Sequence, residues 1–315
     1  MNACSGKHDR VTAAVIIVTY GNYGGLGNTV RSVLEQRYPI TEIILSDDGS
    51  GNPFPQEVLE QLKEADCPVS VRQGKENLGT TAHLNLLAGE CTSDCLKFIG
   101  AGDAFSDPDA LGALIDALKQ TGAVAVTSNA VIASPDLKCR YYTFPGSGRG
   151  AQLETYGMEL FRILAKGNIV SAAGTVFHRD FFTQMGGFDE SYRLLEDWPT
   201  WLRMAREGKQ LAYLDRVTCL YALGGLSSKK GNAFYNDVLR ADMLRCYENE
   251  IFPVKDYLTK EEMQEMEYGY ALLQRNGAWT LWKRFGWIHG RHLVKRGIKW
   301  GVLNVKTWIG RILSV

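Results

Sequence analysis

The chain has 315 residues, 45% of them hydrophobic, with 35 Lys+Arg balancing 35 Asp+Glu. That length and apolar content fit one large α/β domain or two smaller ones and exclude a disordered chain, a collagen-like repeat or a short disulfide-stapled scaffold. No run approaches the roughly 18 apolar residues of a membrane span, and the polar start Met1–Arg10 lacks the apolar core of a secretion leader, so a cytoplasmic protein is expected.

In chain order, Ala13-Ala14-Val15-Ile16-Ile17-Val18 is a continuous, β-branched run suited to a strand buried on both faces. Gly21, Gly24, Gly25 and Gly27 then make a loop, and Asn28 is expected to cap a helix whose apolar positions are Val30, Val33 and Leu34. Short strands follow at Ile43–Leu45, Val69–Val71, Leu96–Ile99 and Ala123–Thr127, alternating with helices near Gln56–Ala65, Thr80–Ala88 and Leu111–Lys119. That alternation predicts βαβ units and a mostly parallel sheet. Pro145–Gly150 reads as a flexible loop dividing a first half from a second that begins near Gln152. The seven irregularly spaced Cys fit reduced thiols. Cys91 and Cys95 lack a second pair at ligand spacing, so they read as small apolar side chains.

Parallel sheets bind ligands beyond the carboxyl ends of their strands. Three polar clusters sit there: Thr19-Tyr20-Gly21-Asn22, Ser46-Asp47-Asp48-Gly49-Ser50 and Gly100-Ala101-Gly102-Asp103. Asp47-Asp48 reads either as an ordinary turn or as two acceptors for a nucleoside's ring N–H and ribose hydroxyls. No Gly-x-Gly-x-x-Gly or Gly-Lys-Ser/Thr phosphate loop is present. Asp103 either precedes a helix near Pro108 or offers oxygen to Mg²⁺ or Mn²⁺. Glu196 and Asp197 open a helix whose Trp198, Trp201, Leu202 and Ala205 share one face. There they either complement the helix dipole or present a general base to an attacking hydroxyl.

Taken in order, these pieces resemble the inverting family 2 glycosyltransferases of the GT-A fold. The likeness covers roughly Val11–Ser228. It rests on Ile17-Val18-Thr19-Tyr20, Ser46–Ser50, Glu76-Asn77-Leu78-Gly79 with Asn85, the Asp103 loop, Gly186-Gly187-Phe188-Asp189-Glu190, and Glu196-Asp197-Trp198 with Trp201-Leu202-Arg203. The resemblance implies an α/β GT-A domain over 1–267, a Rossmann-like mostly parallel sheet flanked by helices. Its donor half is about 11–150, its acceptor and catalytic half about 151–228. It implies donor-binding positions Thr19, Tyr20, Asn22, Asp47, Asp48, Gly79 and Asp103. Asp103 would also be the ligand of Mg²⁺ or Mn²⁺, and Asp197 the catalytic base beside Glu196.

The expected reaction moves a sugar from a nucleotide-diphosphate donor, such as a uridine diphosphate sugar, to a hydroxyl of a saccharide or lipid-linked acceptor in surface polysaccharide synthesis. Three departures stand out. The family's Asp-x-Asp is reduced to Gly100-Ala101-Gly102-Asp103. The stretch Tyr221–Ser228 lacks the metal-binding His that follows the catalytic helix in many members. Leu84 stands where relatives often carry Arg. His83 and His178 read as packed or surface residues. Two other readings remain, a non-catalytic nucleotide-sugar-binding scaffold and a nucleotidyltransferase.

From Tyr268 onward there are nine basic residues, no Asp or Glu, and five of the seven Trp. Residues 268–315 therefore read as a basic, amphipathic helical appendage. On a helix, Val294, Ile298, Val302, Val305, Ile309 and Ile312 form one stripe with Lys295, Lys299 and Lys306 beside it. Peripheral contact with the inner face of the plasma membrane is expected, in preference to nucleic acid; packing on the acidic body is the alternative.

Overall fold

The structure is a computed structural model and describes residues 11–21, 23–224 and 237–291. Asn22 and the apolar stripe from Val294 to Ile312 lie outside the described residues. The chain divides into two compact units, Met1–Asp242 and Met243–Val315.

The first unit begins with β1 (Ala13–Thr19), α1 (Leu26–Leu34), β2 (Glu42–Asp47), α2 (Gln56–Leu62), β3 (Val69–Gln73), α3 (Thr80–Glu90) and β4 (Cys95–Gly100). The β-branched run in β1 is buried throughout Ala13–Ile17 because its alternate side chains enter two layers. Val15 and Ile17 join α1, α2 and α4 (Ala110–Thr121), whereas Ala14 and Ile16 face Leu87 and Ala88 of α3. Each fully buried Val, Ile or Leu among them contributes about 1.5–3 kcal/mol. Further along come β5 (Ala104–Phe105), β6 (Ala125–Ala133), β7 (Arg140–Phe144), α5 (Ser147–Gly150), α6 (Gly157–Ala165) and β8 (Val176–His178). The unit continues with α7 (Arg179–Met185), α8 (Asp197–Arg206) and β9 (Leu211–Ala222), and α9 (Asp237–Cys246) runs across the division.

The strands form one sheet in the order β3-β2-β1-β4-β8-β6-β9-β5, with β7 on β6. Strands β3, β2, β1 and β4 are parallel, as the βαβ alternation predicts, while β8 runs antiparallel between β4 and β6. The sequences on either side of Gln152 thus contribute to the same sheet.

Two local expectations are corrected. Helix α1 starts at Leu26, so Asn28 lies inside it and the preceding position is Gly25, at φ +82°. A Cβ on Gly25 would meet the Gly102 backbone, and that close approach, rather than side-chain capping, sets the helix start. Pro145–Gly150 is not a loose linker. Gly146 N donates to Asn129 Oδ1 at 3.0 Å, Ser147 Oγ donates to Asp215 Oδ1 at 2.8 Å, and Ser147–Gly150 closes into α5. Gly146 and Ser147 thereby bond it to β6 and β9.

In the second unit, α10 (Lys260–Leu273) opens with a capping box between Thr259 and Glu262. Residues 278–291 are also helical, and their Leu281, Phe285 and Ile288 pack with Tyr268 and Ala271. Position 268, the expected start of the appendage, falls inside α10.

Candidate active site

Parallel pairing brings the first two polar clusters and the Asp103 loop to one edge. Thr19 is the register partner of Asp47 and Val18 that of Gly100. Beyond the strands, Asp48 N donates to Thr19 O at 2.9 Å and Ala101 N to Val18 O at 2.8 Å. Tyr20, which follows β1, is about half exposed at this edge. Asp47 is buried and takes Ser50 N at 2.7 Å on one carboxylate oxygen and Ser50 Oγ on the other. Each oxygen keeps a lone pair for a further donor.

Asp48 is committed differently. Its carboxylate accepts from Asn77 Nδ2 at 2.9 Å, Leu78 N at 2.9 Å and Gly79 N at 3.0 Å. It therefore clasps the loop entering α3. The structure thus places Thr19, Tyr20, Asp47, Asp48 and Gly79 together, with two donors on Asp47 and three on Asp48.

The same loop reaches the second half of the unit. Arg193 Nη2 donates to Asn77 O at 2.8 Å and Asn77 Oδ1 at 2.6 Å. Gly79, at φ +91°, lies so close to Arg193 that a Cβ would meet its backbone carbonyl. Asn85 accepts from Phe188 N at 2.9 Å and donates to Phe188 O at 2.8 Å, fastening the Gly186–Glu190 loop to α3. Asp242 Oδ2 takes Leu194 N at 2.7 Å and Leu195 N at 3.3 Å. Asp197 lies four positions after Arg193, which limits their Cα separation to about 14 Å. Hydrogen bonds thus tether the start of α8 to the Asp48 edge.

Helix α8 is anchored through its aromatic face. Trp198 Nε1 donates to Leu164 O of α6 at 2.9 Å, and Trp201 stacks on Phe177 of β8 with centroids 5.8 Å apart. Asp197 is the first residue of α8. Its carboxylate accepts Trp198 N at 2.6 Å and Asn168 Nδ2 at 2.6 Å. Asn168 is held in turn by Val170 N, donating to its Oδ1 at 3.0 Å.

Burial raises the Asp197 pKa, while the Trp198 and Asn168 hydrogen bonds oppose that rise. Glu196 is pushed up to about 8, first by burial and then by the charge of Asp197. The two hydrogen bonds favour the anion at Asp197, while burial and the neighbouring charge favour the protonated form of Glu196. Sequence reading missed Asn168 and Asp242. Neither belongs to a motif, and their roles arise only from tertiary placement.

A cleft of about 280 Å³ adjoins the edge, lined by Ser46, Asp47, Asp48, Arg72, His83 and Leu87 among others. Asp103, Glu196 and Asp197 are not part of its lining. His83 is packed, as expected, with Nε2 2.7 Å from Ser46 Oγ, and burial lowers its pKa. His178 caps α7 through Asp180 N at 3.2 Å.

A family model described as glycosyl transferase family 2 matches residues 14–184, more than half of the chain. The chain belongs to family 2 of the glycosyltransferases. Two uncharacterized glycosyltransferases of Mycobacterium tuberculosis, MT1564 and Rv1514c, are each 25% identical over 243 residues, covering 75% of this chain and 85% of theirs. S. aureus TarS 1-349 in complex with UDP-GlcNAc superposes with a TM-score of 0.57 at 13% identity, covering 82% of this chain and 71% of that one. The mannosyltransferase PcManGT from Pyrobaculum calidifontis, in complex with GDP-Man and Mn²⁺, gives a TM-score of 0.55 at 15% identity, covering 92% and 76%. These likenesses establish the GT-A fold of this glycosyltransferase.

Among the described residues, the Asp103 loop of this glycosyltransferase offers a divalent ion a single carboxylate. Hard cations need several oxygen ligands. Gly100 and Gly102 offer no side chain there. Asp103 is buried and accepts Ala222 N at 2.8 Å on one carboxylate oxygen. Burial pushes its pKa up to about 7, against the pull of that hydrogen bond and of the Lys97 charge. Among the described residues no three His, Cys, Asp or Glu groups gather as a metal site. Cys91 and Cys95 are buried free thiols.

Proposed function

We propose that this family 2 glycosyltransferase is an inverting hexosyltransferase. It would transfer a sugar from a nucleotide-diphosphate donor, a uridine diphosphate sugar in the first instance, to a hydroxyl of a saccharide or lipid-linked acceptor. Surface polysaccharide synthesis is the setting that accords with such an acceptor, and a lipid-linked one places the reaction at the inner face of the plasma membrane. The observation that carries the reading is the environment of Asp197. Its carboxylate accepts from Asn168 Nδ2 and Trp198 N, which favour the anion against the pull of burial, and its helix is tethered through Arg193 and Asn77 to Asp48.

In this reading Thr19, Tyr20, Asp47 and Gly79 form the donor edge. Asp47 accepts from the base or ribose, and Asp48 keeps the edge in shape. Asp197 takes the proton of the acceptor hydroxyl as that oxygen attacks the anomeric carbon. The bond to the nucleoside diphosphate breaks on the opposite face, and the configuration inverts. Protonation of Glu196 removes its charge from beside Asp197. The Asp103 loop, with its single occupied carboxylate, shapes the edge and carries no step.

Asp197→Asn is expected to bind the donor normally by calorimetry and to lower turnover by roughly 10²–10⁴-fold. Near-normal turnover would remove Asp197 from the role of base. The Gly100-Ala101-Gly102 segment favours a second reading, a non-catalytic nucleotide-sugar-binding protein of the same fold. Release of nucleoside diphosphate by the wild-type chain supports transfer. Binding without release, against a panel of acceptors, supports the second reading, and pyrophosphate production would indicate nucleotidyl transfer.

A further inference from the structure

We propose that the outward face of the helix over residues 278–291 is a docking surface for an anionic lipid bilayer. One side of that helix is accounted for: Leu281, Phe285 and Ile288 are buried with Tyr268 and Ala271. With 3.6 residues per turn, Trp279, Lys283 and Trp287 fall on the opposite side, and Trp282 on its flank. The three indoles are 77%, 82% and 53% exposed for Trp279, Trp287 and Trp282. Large aromatic side chains left in water next to a well-packed apolar face mark an interaction surface.

The chemistry of the face selects the partner. Arg284 pairs with Glu267 at 3.2 Å and Arg291 with Glu265, so these cations are matched by α10. Lys283 joins neither pair and stands exposed between Trp279 and Trp287. Indole rings have an apolar body and one N–H donor, which suits the headgroup level of a bilayer. A lysine among them suits negatively charged headgroups, and no Asp or Glu occurs from Tyr268 to Val315 to oppose it. A polyanion such as nucleic acid is held mainly by many cations, whereas this face has three Trp to one Lys. Among the described residues no helix is long and apolar enough to cross a membrane. The contact is therefore a helix lying on the surface. It stands apart from the transfer reading, and measuring each on the same preparations keeps their failures distinct.

The test is flotation of the full chain with vesicles of phosphatidylcholine, with and without phosphatidylglycerol. Binding to the anionic vesicles is expected, with the double variant Trp279→Ala/Trp287→Ala lowering the partition coefficient about tenfold or more. Lys283→Ala should lower it about fivefold at low salt. Quenching of wild-type tryptophan fluorescence by brominated lipid gives an independent readout, and a cooperative thermal unfolding transition at the wild-type midpoint verifies that the variants fold. The proposal is overturned if the wild type ignores anionic vesicles or the double variant floats as well as the wild type. It is equally overturned if the same residues instead mediate binding to a duplex oligonucleotide or to a second copy in sedimentation.

Discussion

Glu196 and Asp197 are adjacent carboxylates with different fates, and the difference lies in their hydrogen bonds. Asp197 receives two donors that favour its anion, whereas Glu196 is raised to about 8 by burial and by its neighbour's charge. The folded chain therefore holds a proton on Glu196 that the unfolded chain releases near the ordinary value of 4.5. The stability this contributes is fully present below 4.5 and lost as pH rises through about 8. Gln cannot ionise. Glu196→Gln is thus expected to melt progressively higher than wild type as pH rises, by at least about 2 °C near pH 8.5 in a thermal-denaturation series. If Glu196 stays protonated while Asp197 titrates, the acid limb of the pH–rate profile should not move in this variant. A displaced limb would mean that the proton sits on Asp197.

Between elements, the decisive contacts are loop to loop. Asp48 holds Asn77–Gly79, Asn77 holds Arg193, and Asn85 holds Phe188, so β2, α3 and the approach to α8 behave as one clasp. Gly79→Ala should break it, because the Cβ would meet the Arg193 carbonyl at a backbone angle of +91°. A cost of about 1–3 kcal/mol is expected by denaturant titration, with donor affinity and turnover both reduced. An unchanged midpoint and unchanged kinetics would show that the clasp does not matter. The loop between β4 and β5 leads to another expectation. With no carboxylate at Gly100 or Gly102 and Asp103 bonded to Ala222 N, donor binding by calorimetry should be the same in EDTA as in Mn²⁺. An affinity at least tenfold higher with Mn²⁺ would assign the cation to other groups.

At the scale of the molecule, the sheet turns sequence order into a site. Pairing of β1 with β2 and β4 sets Thr19, Asp47 and the Asp103 loop side by side, although they are spread over more than 80 residues. The buried strands, their alternation with helices and the family were legible from local patterns, because apolar periodicity and turn residues act over a few positions. Asn28 and Pro145–Gly150 were misread for the complementary reason: the Gly25–Gly102 approach and the bonds to Asn129 and Asp215 join segments far apart in the chain. The second unit follows the same division. Charge and tryptophan content were plain from composition, but which tryptophans face outward depends on how Leu281, Phe285 and Ile288 pack.

The amino-acid order alone determined a parallel α/β core, a polar edge at its strand ends, an acidic pair opening a helix and a basic aromatic terminus, since each is written in residues near one another. Only the tertiary structure decided which donors Asp47 and Asp48 each accept, that Asn168 bonds the Asp197 carboxylate and that Asp103 is turned toward β9. Protonation and hydrogen bonding are set by neighbours in space, and the sequence specifies those only through the fold.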